Sequence, residues 1–412
     1  MRWHFKITSN SEAGVHFDPY DPTLQLNPYP TYQWLRDESP AHWDPGRGFW
    51  TLSRFEDVWS AVHDPLRLSS AQGIVIGQSD IGASNLMEAM PMMIMMDPPR
   101  HDELRRLVSR AFTPRAIAQM ENAVRCTTRQ LLEDLPEGRA DLLPTFAGPL
   151  PVTVIAEMHG VPVDDRENFR EWSDMLVRIN PDEPESVDRA LHGSAELFGY
   201  LPPLIQARRR KPKDDLLSAM VAAEHQGRRM TDEEIAGTAF LLLTAGNETT
   251  TNLIANMAMI VGTDADLRRT LIDDPSLIPA AAEEVLRLES PVQGLARTAT
   301  EDVAFGDATI EEGQQVLLLF AAANRDEREF PHADSLLLDR RSDRALAFGH
   351  GIHFCLGATL ARLEVCVAFE ELLQHLPDFA VGEGARRVPS ALVRGFEHLP
   401  IEYELSTVQG AT

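Results

Sequence analysis

The chain has 412 residues, 43% of them hydrophobic and 25% charged, which is enough apolar material for a sizeable core. Its net charge is −25, from 38 basic and 63 acidic residues, and so acidic a surface disfavours general binding to nucleic acid or to an anionic membrane. Three cysteines, Cys126, Cys355 and Cys366, make no disulfide framework, and with no second ligand pair nearby they make no zinc or iron–sulfur site. Cys126 and Cys366 fall in helical patterns and read as inert core residues, in keeping with a reducing cytoplasm. The first ten residues lack the apolar region of a signal peptide.

In chain order, residues 1–30 are rich in Pro, Asp and Tyr and predict an irregular start. Short helices follow over 31–38 and 54–63, with a strand pair over 42–52 between them. Residues 73–96 have no clean period and predict a long loop ending in an apolar, pliable Pro-Met-Met-Ile-Met-Met run. Helical period then dominates over 99–110, 114–134, 145–158, 165–179, 186–209 and 214–225. In the first of these, His101 and Arg105 stand four apart on one face, after Asp97-Pro98-Pro99, where proline suits a first helical turn. Two donors stacked one turn apart can grip a carboxylate.

Thr231-Asp232-Glu233-Glu234 reads as a capping box opening a long helix over 232–262, roughly 45 Å at 1.5 Å per residue. Its apolar stretch is interrupted by Asn247, Glu248 and threonines, so it predicts a buried helix rather than a membrane span. The middle reads Leu243-Thr244-Ala245-Gly246-Asn247-Glu248-Thr249-Thr250. A carboxylate in such a place is costly unless paired or used. Gly246 weakens the helix by roughly 1 kcal/mol relative to Ala, and a threonine can bond back to an earlier carbonyl. Together they predict a bulge with a polar floor. Helices are expected at 264–273, 277–289 and 356–375, and strands near 296–300, 303–305, 308–310, 315–319 and 399–404. Glu284 and Arg287 sit at i, i+3 and can pair. The expected class is mainly α with small β-sheets, as one domain over 1–412.

Near the C-terminus stands Phe348-Gly349-His350-Gly351-Ile352-His353-Phe354-Cys355-Leu356-Gly357-Ala358, followed by an apolar helical pattern through Leu360, Leu363 and Val367. Glycines let the backbone bend tightly and approach a flat object. A cysteine at a helix start has its thiolate favoured by the helix dipole. This suits a single axial metal ligand. The segment resembles the haem-binding loop of cytochrome P-450 monooxygenases, Phe-Gly-x-Gly-x-His-x-Cys-x-Gly-x-x-x-Ala, with every fixed position matched through Ala361. The likeness extends over about residues 15–405.

The resemblance implies the cytochrome P-450 fold, with haem b held between the long helix and the loop and helix over 348–375. It implies Cys355 as axial ligand of the iron, with Phe348, Gly349, Gly357 and Ala245 also against the haem. His101, Arg105, Arg297 and His353 match the family's haem-propionate contacts. Ala245-Gly246-Asn247-Glu248-Thr249 matches its oxygen-activating motif, which implies that Thr249 bonds the activated oxygen and Glu248 passes protons toward it. Glu284 and Arg287 match a buried scaffold pair whose third member, an arginine, falls on Ser335. The triad is therefore expected to be incomplete unless Arg325, Arg328 or Arg340 substitutes.

Substrate-contact regions carried over from the family give Leu241, Thr244 and Ala245, then Val292, Gln293 and Leu295, then Leu392 and Val393, with the loop over 86–96 as part of a roof. This apolar set, with Thr244 and Gln293 as polar handles, suits a lipophilic molecule of moderate size. The implied activity is insertion of one atom of O2 into a C–H bond, by hydroxylation or epoxidation. No flavin or iron–sulfur segment is present, so electrons are expected from a separate ferredoxin at the proximal face, where Arg105, Arg106, Arg110 and Arg115 form a basic patch. A peroxide-driven hydroxylase and a non-catalytic haem-thiolate sensor are the alternatives. A cytoplasmic monomer without a membrane anchor is expected.

Overall fold

A computed structural model describes residues 17–77, 91–109, 112–176 and 184–404. The expectations for residues 1–16, for 86–90 of the roof loop and for Arg110 lie outside the described residues.

Most expected helices are present, with bounds shifted by a few residues. The helix expected over 114–134 is two, Pro114–Gln119 and Glu121–Glu133. The one expected over 145–158 opens with a π turn, Leu143–Ala147, in which Gly148 N donates to Leu143 O at 3.0 Å. That over 214–225 stops at Ala222, because Gln226 (φ 52°) and Gly227 (φ 79°) turn the chain into a hairpin pairing 224–225 with 228–229. Cys126 is exposed, not a core residue, and Cys366 is half-buried with its thiol pushed up to about 12 by burial.

The helix Asp232–Thr263 is the axis of the molecule, about 48 Å long at 1.5 Å per residue. Its capping box is formed: Thr231 Oγ1 accepts from Glu234 N (3.2 Å), and the Glu234 carboxylate accepts from Thr231 N (3.1 Å). It packs against the helices Pro149–Met158, Pro184–Arg210, Ile278–Leu288 and Ala358–His375. Ile235, Leu243, Ile254 and Val261 are fully buried there, each contributing roughly 1.5–3 kcal/mol. The expected bulge at Gly246 is absent, and the helix runs through it unbroken. The threonines bond back along the helix without bending it open: Thr249 Oγ1 donates to Ala245 O at 2.6 Å. Among the described residues no helix is long and apolar enough to cross a membrane.

Among the described residues the largest sheet has five strands, ordered 41–44, 49–52, 315–318, 295–299, 68–69. Strand Leu295–Ala299 lies between Gln315–Leu318 and Leu68–Ser69, antiparallel to both, with Arg297 opposite Val316. Alternation along it puts Leu295 and Arg297 on one face.

The scaffold triad is complete, contrary to the expectation from Ser335. Arg340 is its third member, donating from Nε to Glu284 at 3.1 Å, while Arg287 donates to the same carboxylate at 2.8 and 2.9 Å. Ser335 contributes its carbonyl, which accepts from Arg287 at 3.0 Å. Leu337 N and Ser342 Oγ also donate to Glu284. Burial alone would raise the Glu284 pKa, but the bonds from Arg287, Leu337 and Ser342 outweigh it and hold the carboxyl at about 2.

Candidate active site

The cysteine loop is shaped by two glycines with positive φ, Gly349 (63°) and Gly351 (68°). A Cβ on Gly351 would meet Val62 O at 2.4 Å, so the loop packs on the end of helix Phe55–Val62 only because that residue is glycine. Cys355 N donates to Phe348 O at 2.9 Å, closing the loop. Gly357 caps the helix Ala358–His375, so Cys355 stands just before its first turn. Burial pushes the Cys355 thiol up; the Gly357 and Ala358 N–H groups and the charges of Arg105 and Arg362 act the other way without reversing it. The helix start thus favours the thiolate, as expected, while burial opposes it. A coordinating cation deprotonates such a thiol outright.

One cavity joins this loop to the long helix. It is lined by Phe348, Gly349, Cys355 and Gly357 on one side and by Ala245, Gly246 and Thr249 on the other. His101, Arg105, Arg297 and His353 line the same cavity at its edge. The rings of His101 and His353 lie 4.5 Å apart, and His353 Nε2 is 3.2 Å from Ser70 Oγ. Burial, then the charges of Arg297, His101 and Arg105, push His353 down to about 3. Burial also lowers Arg297 to about 10, against the pull of Asp97. Arg105 lines the cavity and also donates to Phe354 O at 2.6 Å, so it is a cavity residue rather than a free member of a surface patch; Arg106 and Arg115 are exposed.

The fit to haem b can be tested on one atom. His101 Nδ1 is 3.0 Å from Asp102, but its Nε2 is buried and has no partner among the described residues. A buried polar nitrogen without a partner is costly, and His101 shares this cavity with two guanidinium groups and a second imidazole. Such a donor set fits the carboxylates of a haem, and the glycine-bent loop and the face at Ala245 and Gly246 fit its plane.

The opposite wall carries the hydroxyls. Thr249 lines the cavity; Glu248, one position earlier, is half-buried and outside the lining. Sequence reasoning missed a second acid, Glu364, which lines the cavity from the helix after Cys355 and is bonded to Thr250. Burial pushes its carboxyl up to about 8, against the lowering effect of Thr250. The available signal was its place four residues after Leu360, an acid on the apolar face of that helix.

Of the substrate contacts expected, Leu241, Val292 and Leu295 line the cavity, as do Met93 and Ile94 from the roof loop. Thr244, Gln293, Leu392 and Val393 do not. The Thr244 hydroxyl is spent on Phe240 O (3.0 Å). Gln293 is a buried strap that donates to Ser290 O (2.7 Å) and accepts from Tyr32 Oη (3.0 Å), so it offers no free handle. Gln293 N also bonds Leu392 O, and Val393 bridges to Val292; both strap that loop to the C-terminal turn. Thr238, also missed, lines the cavity from the long helix.

The family model described as Cytochrome P450 matches residues 255–381. The chain is 39% identical over 386 residues to Cytochrome P450 109 of Bacillus spizizenii, covering 92% of each. It is 42% identical over 392 residues to the Vitamin D(3) 25-hydroxylase of Pseudonocardia autotrophica, covering 93% of this chain and 96% of that one. Among solved structures, CYP109E1 from Bacillus megaterium in complex with testosterone superposes with a TM-score of 0.83 at 33% identity, over 92% of this chain and 100% of that chain.

Proposed function

The chain belongs to the cytochrome P450 family and is a monooxygenase with haem b as cofactor, and from that premise we propose that it hydroxylates a lipophilic small molecule with electrons from a separate ferredoxin. The observation that carries this reading is one cavity with Cys355 on one wall and Thr249 on the other. The balance is one C–H bond converted to C–OH, the second oxygen atom leaving as water, with two electrons from the ferredoxin and two protons from solvent.

Haem b supplies the activation of O2. Cys355 Sγ would hold its iron, and His101, Arg105, Arg297 and His353 would hold its carboxylates. Thr249 Oγ1, once turned from its bond to Ala245 O, would pass a proton to oxygen at this wall, and Glu248 would resupply it. Leu241, Val292 and Leu295, with Met93 and Ile94, keep the substrate side dry, which strengthens every polar contact inside. A lipophilic occupant agrees with the relatives, one named for vitamin D3 and one bound to testosterone. Exposed Arg106 and Arg115 on an acidic chain are the docking points for an acidic ferredoxin.

Reconstitution with a ferredoxin, its reductase and a panel of lipophilic compounds tests the proposal. Hydroxylated product carrying label from 18O2 is expected. Product formed with hydrogen peroxide but never with the ferredoxin would replace this reading with a peroxide-driven one.

A further inference from the structure

Thr238 sets itself apart from the other threonines of the long helix. Thr244, Thr249, Thr251 and Thr263 each donate to the carbonyl four residues earlier, at 3.0, 2.6, 3.0 and 2.6 Å. Thr250 is bonded to Glu364. Thr238 is fully buried, yet its Oγ1 has no hydrogen-bond partner among the described residues. It lines the same cavity as Cys355 and Thr249.

Its position is defined by helix geometry. Thr238 precedes Thr249 by three turns, so the two share a face and stand ~16 Å apart along the axis. Leu241, Leu242 and Ala245 fill the stripe between them and also line the cavity. Gly237 lets the roof press close beside Thr238, since a Cβ there would lie 2.5 Å from Pro91 O. Met93 and Ile94 follow in that roof and complete an apolar end. The ionisable lining residues come instead from the helix Arg100–Ser109, the strand Leu295–Ala299, the cysteine loop and the helix after it.

We infer that Thr238 anchors the polar end of the substrate, and that the substrate is an elongated neutral lipid with a terminal hydroxyl or keto group at one end and its oxidised C–H bond at the other. The inference rests on the monooxygenase reading above and adds the substrate class to it. A hydroxyl can donate or accept, so it suits either group. A hydrocarbon would leave Thr238 unpaired in the complex. A carboxylate would exchange its hydration for one hydroxyl, at an end with no cation among the described lining residues, and is disfavoured.

The test is calorimetric binding to the haem-loaded protein. The probes are vitamin D3 with its 3-deoxy analogue, and octadecan-1-ol with octadecane and octadecanoic acid. The wild type is expected to bind at least one alcohol more tightly than both its deoxygenated and its carboxylate counterparts. Thr238→Val should weaken that alcohol by about fivefold, as for one net hydrogen bond, and leave the deoxygenated partner unchanged; Thr238→Ser should retain the alcohol. No preference for any alcohol in the wild type, tightest binding of the carboxylate, or an equal loss of both partners in Thr238→Val would each overturn the inference. The reduced carbonyl spectrum of the wild type is recorded alongside. Loss of its thiolate character defeats the monooxygenase reading itself, whereas a normal spectrum with any of those binding results defeats only the role of Thr238.

Discussion

Arg340 donates to Glu284 at 3.1 Å and thereby shares one buried carboxylate with Arg287. Arg287 is fully buried and also holds Asn324 O and Ala333 O, at 2.9 and 2.6 Å. Truncating one partner of such a network leaves the other charge uncompensated. Arg287→Ala is therefore expected to destabilise the protein by about 3–5 kcal/mol, and Arg340→Ala by less, because Glu284 keeps Arg287. Thermal unfolding of both variants measures this. Equal melting temperatures for Arg340→Ala and wild type would show that the third arginine adds nothing.

The same network sets an acid limit. The Glu284 carboxyl is held at about 2, below its ordinary 4.5. A depressed carboxyl stabilises the fold above the unfolded value, and that contribution is lost as pH falls from about 4.5 to about 2. Unfolding curves across that range should show wild type losing stability faster than Glu284→Gln, which starts lower. Parallel curves would contradict the assignment.

Glu364 has the opposite sign. Its carboxyl is pushed up to about 8, so the unfolded chain releases the proton first and stability falls as pH rises from about 4.5 to about 8. Glu364→Gln should remove that component of the pH dependence and cost little at neutral pH, where the native carboxyl is already protonated. An unchanged slope in the variant would mean that Glu364 is ionised in the fold.

Much of this was legible in the sequence. The capping box at Thr231 and Glu234 marked the start of the long helix, because both halves of that bond pattern are local. The loop before Cys355 was legible because its glycines are needed for backbone reasons. What the chain hid depends on partners far away. Arg340 reaches Glu284 from a loop with no period of its own, so the motif position falls on Ser335 and the spacing does not choose among Arg325, Arg328 and Arg340. Gln293 has the sequence position of a substrate handle, but Tyr32 and Ser290 use its amide. Thr238 and Thr244 look alike in sequence; only the cavity and the bond to Phe240 O tell them apart.

His101 and Arg297 are expected to govern retention of the haem. Hydrogen bonds to charged groups are worth about 1.5–3 kcal/mol, so His101→Phe or Arg297→Leu should weaken haem binding by roughly ten- to a hundredfold. Transfer of haem to apomyoglobin gives the rate. Variants that release it no faster than wild type would remove these residues from the carboxylate site.

Thr249→Val replaces the hydroxyl of the cavity wall with a methyl group of similar shape. Reductant consumption should continue while product falls toward the ~10²-fold loss associated with a positioned proton donor, and hydrogen peroxide should accumulate in its place. Product per reductant equal to wild type would take the proton-handling role away from Thr249.

The central claim is that Cys355 is the thiolate ligand of the haem, and the spectrum of the reduced carbonyl complex tests it most directly. Wild type is expected to give the band of a thiolate-ligated haem, and Cys355→His to give that of an imidazole-ligated one. A thiolate band that persists in Cys355→His would place the ligand elsewhere and contradict the account.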